Sequence, residues 1–236
     1  MNRLAKLKAI NIALLICAAV CLVCYDIFGG LWLKGVTSCW FAALGILNFA
    51  ACQKSGCTRL RAAGLITAGL VCGPLADVLL GINFILGVLF FAVGHIFYMV
   101  AFFALKKLSK RDLYLYLPVA AVSVFVVVGT PFIQIGDPLL QKLLVGYALI
   151  ISAMLGKAIS NYLAERTAVS LLIMIAACLF WFSDLMLAVD MFGTSNRLVW
   201  ILCSYSYWPA QNILAHSLYY LRENDKEALA KESKVC

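Results

Sequence analysis

Residues 83–105 read NFILGVLFFAVGHIFYMVAFFAL, a run with no acid, lysine or arginine and a single histidine, His95. At 1.5 Å rise per residue, an α-helix of this length is about 35 Å long, enough to cross a hydrocarbon core roughly 30 Å thick. Seven similar runs surround it, near residues 9–28, 35–52, 62–80, 113–132, 139–163, 168–191 and 198–221. The expected fold is therefore all-α, a polytopic transmembrane helical bundle of about eight spans. Composition agrees: 64% of the 236 residues are hydrophobic, 13% are charged, and mean hydropathy is +0.98. A soluble domain of this length has too small a core to hide that much apolar surface.

The first run does not read as a cleaved leader before a soluble remainder, because equally apolar segments follow it. The connections are short, so a single membrane domain is expected over residues 1–236, with 222–236 as a cytosolic tail. A net charge of +8 suggests nucleic acid at first sight, but the positions of the charges argue otherwise. With eight spans, fifteen of the nineteen Lys and Arg fall on one side, in clusters such as Lys106, Lys107, Lys110 and Arg111. Lys34, Lys142 and Arg197 fall on the other side, and Lys157 lies within a span. This is the positive-inside asymmetry, which puts both termini in the cytosol and the basic clusters against anionic headgroups. No nucleic-acid partner is expected. Most of the ten cysteines, Cys17, Cys21, Cys24, Cys72, Cys178 and Cys203 among them, lie inside apolar spans, where Cys serves as a small hydrophobe. Cys21-Leu-Val-Cys24 lacks the second pair of a zinc knuckle.

The eleven acids are more informative. Asp112, Glu165 and the acids after Arg222 fall in cytosolic loops or the tail, and Asp26, Asp137 and Asp190 near external helix ends. Asp77 and Asp184 remain, both inside spans. A carboxylate within the membrane costs a few kcal/mol even on the gentlest scale, so such groups turn away from lipid and mark sites. Both lie on helices running outward, roughly 5 and 9 Å from their external ends. That depth allows one shared polar pocket.

The neighbouring residues fit a pocket. Gly69-xxx-Gly73-xxx-Asp77 is a small-residue face that admits another helix. Span eight carries Ser204, Tyr207 and Gln211 on one face, with Pro209 among them. Span four carries His95 and Tyr98, and span six carries Tyr147. Only one other histidine, His216, is present, so neither a three-His nor a two-His-one-carboxylate metal site assembles easily. Neither metal nor cofactor is expected. Ala76-Asp77-Val-Leu-Leu also echoes Ser183-Asp184-Leu-Met-Leu, as a parallel repeat would.

Taken in order, these segments resemble the lysoplasmalogenase (YhhN-like) family of membrane hydrolases, from about Gly64 to Leu221. Phe180-Trp-Phe-Ser183-Asp184-Leu-Met-Leu187-Ala188 is similar to the family's F-x-x-S-D-x-x-L-A segment. Asp77 corresponds to its earlier acid, His95 and Tyr98 to its His-containing helix, and Tyr207-Trp-Pro-Ala210-Gln211 to its Y-x-x-A-Q segment. Ala76 replaces the family's usual Gly. The Lys-Pro-like element of span two is not matched by Ala43-Leu-Gly45-Ile-Leu-Asn48; if that Lys binds the headgroup phosphate, this chain must use another cation or accept different lipids.

The resemblance implies hydrolysis of the vinyl ether bond of lysoplasmalogens, releasing a fatty aldehyde and glycerophosphocholine or glycerophosphoethanolamine. Its partners are the lysophospholipid substrate and membrane lipids, in a bacterial cell membrane or, in a eukaryote, the endoplasmic reticulum. Protonating the alkenyl carbon creates an oxocarbenium-like cation, a problem that glycosidases meet with two carboxyl groups. Asp77 and Asp184 are the expected catalytic pair, with a protonated acid and a carboxylate dividing the work. His95, Tyr98, Tyr147, Ser183, Tyr207 and Gln211 are expected to position water and substrate. The same intramembrane acids also suit a transporter or channel for a small solute or lipid, and a non-catalytic lipid-binding scaffold is a third reading.

Overall fold

A computed structural model describes the backbone of residues 3–232 and the side chains of residues 5–222. The side chains of Arg3 and of the charged residues after Arg222 lie outside that range, as do the last four residues of the expected tail. Among the described residues the chain is all-α. Its helices are α1 (Arg3–Phe28), α2 (Leu31–Lys54), α3 (Leu60–Ile82), α4 (Phe84–Leu105), α5 (Lys110–Gly129), α6 (Pro138–Glu165), α7 (Ala168–Phe192) and α8 (Arg197–Glu232). The first seven are long and apolar enough to cross a bilayer. The described part of α8 is more polar, carrying Ser204, Ser206, Gln211, Asn212, His216 and Ser217.

Local chemistry sets the helix ends. Asp137 caps α6 by accepting the Leu139 N–H at 2.8 Å, and Pro138 follows at the first position. Thr167 and Ser170 cap α7 reciprocally. Ser109 and Asp112 form a capping box at α5, with Asp112 Oδ2 accepting the Ser109 N–H at 2.7 Å. Pro131 stops α5 two residues after Gly129. Arg166 closes α6 in the left-handed region, at φ 48°.

Several boundaries differ from the sequence reading, among them the start of α1 at Arg3. The cap at Ser109 starts α5 three residues early, which turns Asp112 from a loop acid into a buried residue of the first turn. Helix α2 starts at Leu31, so Lys34 is helical. Helix α8 continues from the expected tail boundary to Glu232.

The chain divides into two compact units. One takes Met1–Gly94 with Asn212–Cys236, the other His95–Gln211, so α4 and α8 contribute a part to each. In the first unit α2 packs on both α1 and α3. Gly94 of α4 lets backbones approach: a Cβ there would lie 3.4 Å from the Gly69 carbonyl oxygen. The core of this unit is not wholly apolar. Asn11 and Asn48 exchange hydrogen bonds of 3.0 and 2.9 Å, and Asn48 also donates to the Ala215 carbonyl at 3.1 Å. His216 Nδ1 is 3.1 Å from Asn11 Oδ1.

In the second unit α6 packs on α5 and α7. Ser123 accepts hydrogen bonds from Ser152 Oγ at 2.9 Å and from Trp181 Nε1 at 2.7 Å. Lys157, anomalous in a span by sequence, is resolved by Asp112: its Nζ donates to Asp112 Oδ2 at 2.9 Å and to the Lys107 carbonyl at 3.0 Å. The side chains of the pair are 1% and 6% exposed, so each charge depends on the other.

Glycine packing and the buried ion pair each have consequences for stability. A Cβ at buried Gly87 would lie 2.5 Å from the Leu80 Cα, so Gly87→Ala should cost about 1–3 kcal/mol. Gly146, with nothing within 4 Å, should accept Ala with a gain of up to about 1 kcal/mol. Melting in detergent compares the two, and equal melting temperatures would contradict the packing. Lys157→Met should cost about 3–5 kcal/mol by stranding Asp112, and adding Asp112→Asn, which can still cap α5, should recover most of it. A single variant as stable as wild type would show the pair to be idle.

Candidate active site

Asp77 and Asp184 have different surroundings. Asp77 belongs to the first unit, near the end of α3, and is buried on the face that carries Gly69 and Gly73. Its partners come from α2. Ser38 Oγ donates to Asp77 Oδ2 at 2.5 Å, and Lys34 Nζ lies 3.6 Å from Oδ1. Lys34 and Ser38 are one helical turn apart, so a single face of α2 presents a cation and a hydroxyl to the acid. The Lys34 side chain keeps 17% exposure against 3% for Asp77. Its ammonium has three donors and one neighbouring carboxylate oxygen within reach, which leaves capacity for a second anion.

Asp184 belongs to the second unit and lies on α7 inside an aromatic shell. Tyr147 of α6 donates its phenolic hydrogen to Asp184 Oδ2. His95, the first residue of this unit on α4, has Nε2 4.0 Å from the same oxygen and is 1% exposed. Rings surround the imidazole. Tyr147 meets it edge to face at 5.4 Å between centroids and Phe180 at 4.6 Å, while Phe180 in turn meets Tyr207 at 5.4 Å. Tyr98 OH donates to Gln211 Oε1 at 2.7 Å, with both residues buried. Ser183 does not turn to Asp184; its hydroxyl donates to the Cys203 carbonyl at 3.1 Å and ties α7 to α8.

Among the expected site residues, the structure thus brings Asp184, Tyr147, His95 and Tyr207 into one cluster and joins Tyr98 to Gln211 beside it. The sequence reading missed Lys34, Ser38 and Phe180. Lys34 had a visible signal, as one of three cations on the side opposite the basic clusters and four residues before Ser38. It also supplies a cation on span two, which the region around Ala43–Asn48 lacks. Phe180 had a signal too, as the first position of the F-x-x-S-D-x-x-L-A segment, but hydropathy alone does not tell it from any other Phe in an apolar helix.

Such surroundings suit acid–base chemistry. One carboxyl has a cation and a hydroxyl donor. The other has a phenol and an imidazole among aromatic rings, which lower the local dielectric and strengthen electrostatic interactions. Among the described residues no three of His, Cys, Asp or Glu converge as a metal site would require.

The sequence profile of the YhhN family matches residues 37–218. That stretch contains Ser38, Asp77, His95, Tyr98, Tyr147, Phe180, Asp184, Tyr207 and Gln211, while Lys34 lies three residues before it. No curated protein and no solved structure matches the chain.

Proposed function

Because the chain belongs to the YhhN family, we propose that it is a multi-pass membrane hydrolase that cleaves the vinyl ether bond of lysoplasmalogens. The products are a fatty aldehyde and glycerophosphocholine or glycerophosphoethanolamine. The observation that supports this reading best is that each intramembrane acid has its own polar partners, of different kinds, within the matched stretch or next to it. Different environments are how two carboxyl groups divide acid and base roles.

In the proposed reaction a carboxylic acid transfers its proton to the alkenyl carbon one bond beyond the ether carbon. The double-bond electrons form the new C–H bond, and the ether carbon becomes part of an oxocarbenium ion. A carboxylate offsets that positive charge and takes a proton from the attacking water, giving a hemiacetal. Collapse of the hemiacetal breaks the C–O bond: the proton taken from water passes to the glycerol oxygen, the hemiacetal hydroxyl gives its proton back to the first carboxyl, and the aldehyde is freed. The net change is consumption of one water. Asp77 and Asp184 are the proposed pair. His95, Tyr147, Tyr207 and Gln211 orient water and the glycerol oxygens, Tyr98 holds Gln211, and Ser183 fixes the α7 backbone beside Asp184.

Lys34 takes the phosphate in this reading. Three glycerol carbons separate the phosphate from the ether oxygen, so a cation serving the headgroup must lie near an acid serving the ether. Its 3.6 Å separation from Asp77 supports that role.

Purified protein in detergent, offered a lysoplasmalogen and its saturated alkyl-ether analogue, should release aldehyde from the vinyl ether alone. Asp77→Asn and Asp184→Asn should each lower the rate by about a hundredfold or more, the scale of a lost acid–base group. Full activity in either folded variant would remove the pair. No aldehyde from folded wild type would remove the hydrolase and favour a transporter using the same acids. Lys34→Met should raise KM by about tenfold to a hundredfold, as for a lost charge-assisted hydrogen bond. The loss should be smaller on the phosphate-free alkenylglycerol, where only the effect on Asp77 remains, and an equal loss on both substrates would contradict phosphate binding.

A further inference from the structure

A second feature lies in the unit formed by His95–Gln211, at the turn between α4 and α5. A groove of about 590 Å³ opens there, in the range of lipid- and ligand-sized sites. Met99 and Phe103 of α4, Leu113 and Tyr116 of α5 and Ala153 of α6 form its walls. Gly156 makes room for this arrangement, since a Cβ there would meet the Tyr116 backbone at 3.0 Å. The Lys157–Asp112 pair lines the groove and is almost fully buried.

The charges at the groove fall into two groups. Lys157 is committed: Asp112 and the Lys107 carbonyl take two of its donors, and its Nζ sits 4.8 Å from the centre of the Phe103 ring. Lys106 is likewise turned to Glu165, at 3.5 Å. Lys107, Lys110 and Arg111 are exposed on the same turn, and Lys110 lines the groove itself. Among the described residues no carboxylate is within ion-pair range of these three. Apolar walls alone are ordinary on a lipid-facing surface. An apolar trough with Lys110 at its edge, and with Lys107 and Arg111 exposed on the same turn, has the charge and shape of one amphiphile.

We propose that this groove binds an anionic phospholipid, with an acyl chain between α4, α5 and α6 and the phosphate held by Lys107, Lys110 and Arg111. Basic sites at helix ends on the side predicted to be cytosolic take such lipids. The site shares no residue with Asp77, Asp184 or their partners, and it stands whether or not the chain is a hydrolase.

Native mass spectrometry of the delipidated full chain tests it, with equimolar phosphatidylglycerol and phosphatidylcholine of identical acyl chains. Wild type should retain phosphatidylglycerol about tenfold or more over phosphatidylcholine, given about fivefold per engaged cation. Replacing Lys107, Lys110 and Arg111 by Gln should bring the ratio near one. Ala153→Trp, which fills the groove without touching the charges, should reduce retention of phosphatidylglycerol by a similar factor. No preference in wild type, or a preference that survives the Gln substitutions, overturns the proposal. So does loss in the Gln variant with full retention in Ala153→Trp, because the lipid would then sit on the basic turn and not in the groove. If the triple variant unfolds, Lys110→Gln alone serves, with a severalfold drop expected and no drop overturning the site.

Discussion

Hydrocarbon offers no hydrogen-bond partner, and that constraint shapes everything described above. Backbone amides meet it by forming helices, and polar side chains meet it by finding partners on neighbouring helices. Asn11 and Asn48 bond each other and the Ala215 carbonyl. Ser123 accepts from Ser152 and Trp181. Lys157 reaches Asp112 across 45 residues of chain. Each bond specifies which faces of two helices meet, which uniform apolar packing would leave less well defined.

The two intramembrane acids obey the same rule with different partners. Asp77 has Lys34 and Ser38, a charge and a dipole from one face of α2. Asp184 has Tyr147, with His95 beside it in a shell of rings. A structural acid needs only enough bonds to offset its desolvation, whereas a catalytic one must keep an approach for substrate. Asp184 keeps 11% of its side chain exposed, whereas Asp77 keeps 3% and has Lys34, 17% exposed, beside it.

Close approach of helices makes these contacts possible. Gly94 brings α4 near α3, and Gly156 brings α6 against the α5 backbone. On α6, the residue after Gly156 is Lys157, so the tight packing and the buried ion pair share one turn. The groove opens along the same packing, where Ala153 is too small to close it.

Helix number, type and approximate ends were legible in the sequence, because bilayer thickness fixes span length and hydropathy is a local property. So were Asp77 and Asp184 as residues out of place, since the cost of a carboxylate in hydrocarbon does not depend on knowing its neighbours. Capping chemistry is legible in principle at Ser109 and Asp112, three residues apart, but hydropathy alone starts the span at residue 113. Partnership was not legible. Ser38 meets Asp77 from 39 residues away and Tyr147 meets Asp184 from 37, and helix rotation decides which side chains meet at such distances. That rotation is set by side-chain packing between helices. Sequence by itself determined what must be buried in the membrane, and only the tertiary structure decided what each buried charge would face.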